Sequence, residues 1–555
     1  MRARLFAAIA ALSITLLGGC GGSERSSRAV TSSIHDRIEV LKHPSARVAR
    51  ERLLEPKTVA RFYEARQSRA AWDRDATGEI VEAIRGVSRD GLNPKDYHLE
   101  AIEKLSQGQS HTPEAQADLD LLLTDAVAAI ADHVRFGRVL PATLNPEWNV
   151  DPRAGAPPLE TTVAGIAGTH AVRRAIEDQR PDHFIYHGLV DALARMREFE
   201  SHGGWPTIPP GGGIRPGASD PRIPAIRARL AITGELPGEA RNDRTTYDDA
   251  LRRAVMLFKA DHRLDTTAVI DRATIEAMNV SASARANQAR ANLERARWVV
   301  NGLKDDFVLV NLPAFKAYLI RNQKNVWEAR TQIGDEAKQT PTFRADMRTV
   351  VFNPDWSVPQ SILVQEILTK MQSGDNVIGE KGLVLYDDHN QPVDPSSIDW
   401  KHVKPESFPY TLKQPPGESN ALGRVKFLFP NPYSIYLHDT PSRHLFASNV
   451  RTFSHGCIRL EHPLELAEIL LKGQDSWNSE KINRVLETGE TQNVELEHSL
   501  PVLIVYWTVS VGASGRVHFA HDIYDLDPPL LAALDAPPWS HPTVVRAPTP
   551  TKMGP

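Results

Sequence analysis

Cysteine is almost absent from the sequence, since only Cys20 and Cys457 occur in 555 residues. Once Cys20 is lipidated or removed, Cys457 has no partner in the chain, which excludes an internal disulfide. Long apolar runs are also missing, because no apolar stretch beyond the first twenty residues reaches about 18 residues, the length of a membrane span. The 65 lysine and arginine residues nearly balance the 69 aspartate and glutamate residues. The net charge of −4 therefore gives no excess of positive charge of the kind that binds nucleic acid. The sequence predicts a globular chain of several domains with one solitary thiol.

The apolar run at the start of the chain has the features of an export signal. Residues 1–20 read MRARLFAAIAALSITLLGGC, in which two arginines precede an apolar run of signal-peptide length and small residues precede Cys20. The stretch Leu17 to Cys20 resembles the bacterial lipobox, which implies lipidation of Cys20; an ordinary signal peptide cut nearby is the alternative. Either way, we expect the mature chain to work outside the cytoplasm. By analogy, Gly21 after Cys20 favours a periplasmic protein anchored to the outer membrane.

Pattern changes along the chain predict its domains. Residues 21–44 indicate a linker, and residues 45–202 an α-helical scaffold whose stretch LDLLLTDAVAAIADHVRFG carries apolar residues at three- and four-residue spacing. Residues 203–222 are rich in proline and glycine and predict a loop. Three short helices with apolar faces follow over residues 223–282, and a connecting helix over residues 283–304.

From residue 305 the period changes to that of β-strands. Short stretches rich in β-branched and aromatic residues predict a β domain over residues 305–524: DFVLVNLPAFKAYLIRN, RTVVFNPDW, GRVKFLFPNPYSIYLHD and PVLIVYWTVSV. An insertion of mixed character at about 361–423 interrupts these strands and is expected to form a lid or accessory lobe. Residues 525–555 are rich in proline, and we expect a disordered tail. The predicted fold class is a multidomain α+β protein.

The solitary thiol lies among residues that can activate it. His438 ends the strand SIYLHD, fifteen residues intervene, and Ser454-His455-Gly456-Cys457 follows. A thiol is a weak nucleophile until it ionises, so the chemistry needs an imidazole, which His438 or His455 could supply. Glycine lets the backbone approach a substrate, and the N–H groups of His455, Gly456 and Cys457 are expected to converge on a developing oxyanion. The residues therefore favour acyl transfer through a thioester.

The same cluster of residues has two other interpretations. A lone buried cysteine is often an inert small hydrophobic residue, an interpretation that the spacing of the two histidines disfavours. His438, His455 and Cys457 also have the ligand types for zinc, but no second cysteine pair is present to complete a tetrahedral site. We therefore expect no metal.

The pattern of a histidine, about fifteen residues and Ser-His-Gly-Cys resembles the signature of the L,D-transpeptidases, which remodel bacterial peptidoglycan and whose catalytic domain is called YkuD. The flanks resemble the large subfamily with a helical scaffold, a peptidoglycan-binding module and a lid: NPDWSVPQSI, QPPGESNALGRVKFLFPN, YLHDTPSRHLF and SHGCIRL. Residues 223–282 likewise resemble that peptidoglycan-binding module. The resemblance implies a β-sandwich-like catalytic domain. It departs at Arg459, where short members of the family carry asparagine.

The resemblance also implies roles for the residues of the cluster. Cys457 attacks the amide before the terminal D-Ala of a tetrapeptide stem, and an amine of a second stem then takes the acyl group to give a 3-to-3 cross-link. His438 is the general base and later the acid. The remaining roles are supporting ones: the Asp439 carbonyl fixes the His438 tautomer, His455 and Gly456 shape the oxyanion site, Ser454 bonds within the loop, and Arg459 orients the loop or meets a substrate carboxylate.

The expected partners are donor and acceptor stems of peptidoglycan and a membrane reached through the lipid anchor, with no cofactor and no nucleic acid. Carbapenems are expected to acylate the same sulfur. Water or a free D-amino acid in place of the acceptor amine would instead give an L,D-carboxypeptidase or an exchange enzyme. The alternative from another class is a non-catalytic lipoprotein that tethers membrane to peptidoglycan.

Overall fold

The structure is a computed structural model that describes residues 20–108, 112–145, 148–238, 244–265, 267–303, 305–405, 408–474, 477–512 and 514–540. The expected signal residues 1–19 therefore lie outside the described residues. The chain forms two compact units. One comprises the described residues up to Arg138, residues 153–181 and a short piece that begins at Ala536, and the other comprises residues 139–152 and 182–535.

The helices, in chain order, are α1 (Cys20–His35), α2 (Ile38–Leu41), α3 (Pro56–Ala65), α4 (Arg74–Gly86), α5 (Leu99–Gln107), α6 (Pro113–Phe136), α7 (Pro141–Leu144), α8 (Leu159–Ala167), α9 (Val172–Glu177), α10 (Phe184–Ser201), α11 (Ile223–Ile232), α12 (Asp249–Asp261), α13 (Arg272–Asn279), α14 (Ala282–Val300), α15 (Gln360–Ile362), α16 (Thr369–Ser373), α17 (Val377–Glu380), α18 (Pro463–Leu471), α19 (Ser479–Thr488) and α20 (Asp527–Asp535). A π-helical turn, Leu363–Leu368, joins α15 to α16. The strands are β1 (Arg47–Val48), β2 (Glu51–Arg52), β3 (Phe307–Asn311), β4 (Lys316–Arg321), β5 (Lys324–Gly334), β6 (Phe343–Phe352), β7 (Trp356–Ser357), β8 (Val384–Tyr386), β9 (Pro392–Val393), β10 (Thr411–Gln414), β11 (Val425–Leu428), β12 (Leu437–His438), β13 (Thr452–Ser454), β14 (Ile458–Leu460), β15 (Gln492–Val505), β16 (Val509–Val511) and β17 (Val517–Phe519).

The first unit is helical and packs around α6. Most of this helix is buried, and its ends follow ordinary rules, because the Thr112 hydroxyl accepts from the Ala115 N–H and Gly137 stops the helix at a φ of 95°. Two buried carboxylates of this helix accept hydrogen bonds from the segments of the unit that pack beside it. Asp120 accepts from the Ala71 and Trp72 amides, and Asp125 does the same for Leu54 and Glu55.

The helix α10 belongs to the second unit, although the sequence places it in the helical scaffold of residues 45–202. Its apolar face, which includes Leu189 and Leu193, packs with Ala289 and Leu293 of α14 and with the outer face of the β-sheet. Helical periodicity identifies such a face correctly, but it does not tell which neighbour will cover that face.

Helices α11, α12 and α13 form around a separate apolar core. Their fully buried residues include Ile226, Leu230, Phe258 and Met278. The helices predicted from the sequence are therefore present over residues 223–282. Their assignment to a peptidoglycan-binding module stays a prediction, because a buried core explains these residues equally well.

The second unit contains a nine-stranded sheet that closes on itself. Its order is β13-β5-β14-β12-β11-β6-β15-β3-β4, and β4 also pairs with β5. Eight strands therefore form a ring, and β13 extends it along β5. The interior is filled by apolar side chains such as Val308, Val350, Phe427 and Ile504. This closed sheet differs from the expected β-sandwich, because alternating apolar residues mark one buried face in either architecture.

The insertion predicted at about 361–423 is a compact lobe. Its four-stranded antiparallel sheet has the order β7-β10-β8-β9, and its own core includes Leu363, Ile367, Leu385 and Leu412. That core gives the lobe a definite shape beside the closed sheet.

The start of the proline-rich tail is ordered, so the prediction of disorder is wrong there. Helix α20 buries Leu530 and Leu534 against the core around α14, and this burial outweighs the composition of the segment. Residues 541–555 lie outside the described residues. No helix in the described ranges combines the length and hydropathy of a membrane span.

Candidate active site

Two neighbouring parallel strands carry the predicted site residues. Strand β12 pairs with β14, with Leu437 opposite Ile458 and His438 opposite Arg459. Because side chains alternate across a sheet, the fully buried Leu437 and Ile458 point into the core, while His438 and Arg459 share the other face. Cys457 precedes Ile458 and so lies on that face, and the pairing places its Cα about 8 Å from that of His438. The sheet thus brings the predicted nucleophile and base to one surface.

Ser454 holds the loop that presents the thiol. Its hydroxyl donates to the Cys457 carbonyl at 2.5 Å and accepts from the Gly456 N–H at 3.1 Å. Gly456 has a φ of 115°, and a Cβ there would lie 3.3 Å from the Ile435 side chain, so glycine suits this position. The Ser454 hydroxyl thus accepts from the Gly456 N–H in this structure, and the part of Gly456 in an oxyanion site stays a prediction.

Two other amides of the loop remain available. Within the described ranges, the N–H groups of His455 and Cys457 have no acceptor. The Ser454 carbonyl accepts from the Asp335 N–H at 3.1 Å, and the Gly456 carbonyl accepts from the Thr340 hydroxyl at 2.8 Å. In a trans peptide the carbonyl and the following N–H point in opposite directions, so both free amides point away from these anchors.

The Cys457 thiol is half-buried and contacts Tyr436 and Ser434. The Sγ atom lies 3.8 Å from the Ser434 carbonyl oxygen. Burial raises the pKa of the thiol above its ordinary value of 9.0, although hydrogen bonds from the Tyr436 N–H and hydroxyl and the nearby Arg459 charge act in the opposite direction. The resting sulfur is therefore a protonated thiol at neutral pH.

His438 is almost fully buried and neutral. Burial lowers its pKa to about 3, and the positive charge of Arg459 acts in the same direction. Its Nδ1 lies 2.5 Å from the Asp439 carbonyl oxygen, the contact that the predicted tautomer requires. The carbonyls of Asp439 and Leu422 act on this pKa in the opposite direction, but burial outweighs them. Among the described residues no hydrogen bond joins His438 to Cys457, and such catalytic contacts often tighten only when substrate binds.

The Asp439 side chain supports the same region, a role that the sequence did not suggest. Its Oδ2 accepts from the Arg424 N–H at 2.9 Å and pairs with the Arg443 guanidinium at 3.2 Å. A Cβ on Gly423 would lie 2.5 Å from this carboxylate. Asp439 therefore packs the chain around residue 423 closely against the strand that carries His438.

The His455 side chain contacts the inserted lobe. Its Nε2 hydrogen-bonds Oε1 of Glu366, a residue of the π-helical turn, and that oxygen lies 3.6 Å from Nζ of Lys338. The predicted contribution of His455 to an oxyanion site can therefore come from its backbone N–H, while its imidazole links the loop to the lobe.

Arg459 lies beside the thiol and the imidazole. Its Nη1 donates to Gln332 Oε1 at 3.1 Å, and its buried Nε has no acceptor among the described residues. Burial lowers the pKa of its guanidinium. The contact with Gln332 accords with a role in orienting the loop, and the contact of Arg459 with a substrate carboxylate stays a prediction.

His438, His455 and Cys457 do not form a metal-binding cluster in the described part of the chain. Their ligand atoms do not all come within 4.8 Å of one another, whereas those of Asp387, Asp388 and His389 do, on an exposed turn. This geometry does not support the zinc interpretation of the site.

Three residues of the site were not predicted from the sequence: Thr340, Tyr436 and Glu366. Tyr436 lies two positions before His438 in the same extended segment, so strand periodicity could have placed it on the same face. Thr340 and Glu366 reach the loop only through the tertiary fold, and no local pattern marks them.

Comparisons with known proteins identify two regions. Residues 57–193 match the family model described as the Scaffold domain, and residues 305–485 match that of the L,D-transpeptidase catalytic domain, YkuD. A Haemophilus influenzae protein that carries the name L,D-transpeptidase is 36% identical over 220 residues, which cover 40% of this chain and 44% of that relative. The chain therefore matches less than half the length of this relative.

Among solved structures, a segment (residues 123–326) of an L,D-transpeptidase from Xylanimonas cellulosilytica aligns over 54% of this chain and 99% of its own. It is 13% identical, and its TM-score of 0.18 is too low to establish a shared fold. The assignment rests on the family matches and the Haemophilus relative, and the predicted residues His438 and Cys457 both fall inside the YkuD match. The chain thus carries a YkuD-type L,D-transpeptidase catalytic domain over residues 305–485, after a Scaffold domain over residues 57–193.

Proposed function

We propose that the chain is a peptidoglycan L,D-transpeptidase that forms 3-to-3 cross-links through a thioester on Cys457. The donor is a tetrapeptide stem, and the acceptor is the side-chain amine of a second stem. No metal or organic cofactor takes part in the proposed reaction.

In the first step the Cys457 sulfur attacks the amide carbon between the diamino acid and the terminal D-Ala. The S–C bond forms as the thiol proton moves to His438, and the C–N bond then breaks as that proton passes to the amine of departing D-Ala. The carbonyl oxygen carries negative charge in between. The N–H groups of His455 and Cys457, which no described residue accepts from, are the donors available for it.

In the second step the acceptor amine attacks the thioester carbon. A new C–N bond forms, the S–C bond breaks, and one amine proton returns through His438 to the sulfur. A neutral Cys457 thiol and a neutral His438 imidazole suit this cycle, because both groups return to these protonation states when the cycle ends.

The observation that carries the proposal is the Cys457 loop itself. It presents a half-buried thiol on the same face as a neutral buried imidazole, next to two backbone N–H groups that have no acceptor among the residues the structure describes. A structural cysteine would need none of these features. The match of residues 305–485 to the L,D-transpeptidase catalytic domain supports the same reaction.

The proposal is tested by mass spectrometry of the intact protein after incubation with a disaccharide-tetrapeptide donor and no acceptor. The wild-type protein should gain the mass of the donor minus D-Ala, on the peptide that contains Cys457. Cys457→Ala should gain nothing, and a carbapenem should label the same sulfur. A wild-type protein that acquires neither adduct would instead support the non-catalytic tether.

The same experiment with an acceptor stem distinguishes the possible acceptors. A cross-linked dimer supports transpeptidation, a tripeptide supports an L,D-carboxypeptidase, and incorporation of an added D-amino acid supports exchange. We propose the dimer as the main product, because the inserted lobe contacts the catalytic loop through Glu366 and a lobe held there would restrict water at the thioester.

The proposal includes the location of the enzyme. A lipid anchor on Cys20 would hold it at the periplasmic face of the outer membrane, next to its substrate. The helices of residues 223–282 would add affinity for the wall as a peptidoglycan-binding module. The lobe of residues 361–423 would act as a lid over the stem peptide.

A further inference from the structure

The carbonyl of Gly456, directly before the nucleophile, accepts from one buried side chain in the described part of the chain. The Thr340 hydroxyl donates to this oxygen at 2.8 Å, and the same hydroxyl accepts from the Gly334 N–H at 2.9 Å. Thr340 is 2% exposed. The hydroxyl therefore uses its one proton and one of its lone pairs in these two hydrogen bonds. Because the Gly334 N–H occupies the lone pair, the proton has to point to the Gly456 carbonyl.

Thr340 is itself held in place from two sides. The Tyr524 hydroxyl donates to the Gly334 carbonyl at 2.6 Å and lies 3.4 Å from the Thr340 amide nitrogen. Gly334 has no side chain, and a Cβ there would come within 2.1 Å of the Lys338 carbonyl and 2.8 Å of the Thr340 nitrogen. The segment from residue 338 to residue 340 therefore lies directly on Gly334.

The consequence concerns the amide of the nucleophile. The Gly456 carbonyl and the Cys457 N–H belong to one planar trans peptide group, so fixing the carbonyl direction fixes the N–H direction opposite to it. Gly456 has a φ of 115°, and this peptide group would otherwise be among the easiest in the loop to rotate. The Cys457 N–H has no acceptor in the described ranges, which keeps it available to a ligand.

We infer that Thr340 is a positioning residue for the oxyanion site: its hydroxyl anchors the Gly456 carbonyl and thereby aims the Cys457 N–H at the carbonyl oxygen of the donor amide. The inference rests on the proposed acyl transfer at Cys457. Thr340 touches neither substrate nor sulfur in this role and acts only through the peptide group that it orients.

This role separates two reactions of the same thiol. Acylation by an amide places negative charge on oxygen and needs the aimed N–H. Alkylation by iodoacetamide displaces iodide from a saturated carbon and forms no oxyanion, so it reports the thiol without the oxyanion site. A residue that merely supports the loop would affect both reactions together.

The test compares Thr340→Val, which keeps the side-chain shape but loses the hydroxyl, with Thr340→Ser, which keeps the hydroxyl. Single-turnover acylation by a disaccharide-tetrapeptide donor is followed by mass spectrometry, and alkylation by iodoacetamide is measured on the same preparations. We expect Thr340→Val to slow acylation at saturating donor by about 10- to 100-fold at every pH, since loss of one complete donor costs about 10²- to 10³-fold. Alkylation should stay within about twofold of wild type, and Thr340→Ser should restore acylation.

If Thr340→Val does not fold, Tyr524→Phe serves the same purpose, because it removes the hydroxyl that holds Thr340 and should give a smaller fall with the same selectivity. Unchanged acylation in the hydroxyl-free variants would overturn the inference, and so would an equal fall in acylation and alkylation. Failure of the wild-type protein to acylate at all would instead overturn the proposed function, so the two failures are distinguishable.

Discussion

The protonation state of the resting site can be tested by the pH dependence of thiol alkylation. Burial raises the pKa of Cys457 above 9.0 and lowers that of His438 to about 3. The two values are thus separated by at least about six pH units, in the order that keeps both groups neutral. A preformed thiolate–imidazolium pair would need the opposite order.

The expected size of the pH dependence follows from the raised pKa of the Cys457 thiol. With a pKa above 9.0, fewer than about 1% of molecules hold a thiolate at pH 7, and that fraction rises about tenfold with each pH unit. The rate of alkylation of Cys457 by iodoacetamide should therefore rise about tenfold per unit from pH 6 to pH 9, without a plateau. The alkylated sulfur is identified by peptide mass spectrometry.

The variant His438→Gln provides the matched control. It should leave the alkylation profile within about twofold of wild type, because a neutral imidazole contributes little to the thiolate fraction. The same variant should slow acylation by a donor stem by about 10²- to 10⁴-fold at pH 7, since proton transfer is lost there. A wild-type plateau that begins below pH 6 and disappears in His438→Gln would reveal an ion pair and refute the reasoning.

Two further predictions concern the positive charge of Arg459 and the lipid anchor on Cys20. Arg459→Gln removes a cation that lowers the pKa values of both Cys457 and His438, so the alkylation profile should move to higher pH; an unmoved profile would show that the charge is screened from the sulfur. Cys20→Ser should release the protein from the membrane fraction of cells that express it, because lipidation supplies the proposed attachment, and retention of the variant in that fraction would contradict it.

The sequence suggested which residues form the candidate site, but it did not show how they are hydrogen-bonded. Cys457 and His438 could be singled out because a thiol, a histidine and Ser-His-Gly-Cys form a local signature. The hydrogen bond from the Gly456 N–H to the Ser454 hydroxyl could not be predicted, because a sequence motif does not record hydrogen bonds. Thr340 lies 116 positions from Gly456, and only the closed sheet brings them together.

The fold shows the same division between local and long-range information. Helical and strand periods located most elements, because a buried face repeats along the chain. They did not identify the partner of each face: α10 packs on α14 and the sheet, and α20 is ordered by burial of Leu530 and Leu534 despite its proline-rich surroundings. Closure of the sheet also depends on pairings between strands far apart in the sequence, such as β5 with β14 and β3 with β15, which periodicity does not show.

The last prediction concerns the contact between His455 and Glu366, which links the catalytic loop to the inserted lobe. Both side chains are partly exposed, and such pairs contribute about 0 to 1 kcal/mol, so if the lobe opens and closes as the proposed lid, losing this pair should change its closed population by at most about fivefold. If the closed lobe excludes water, Glu366→Ala should raise the ratio of tripeptide to cross-linked dimer by up to that factor. Lys338→Gln is the matched control, because it removes only the longer 3.6 Å contact to the same carboxylate and should give a smaller change. Product analysis that finds the ratio unchanged in Glu366→Ala would show that this contact does not govern water at the thioester.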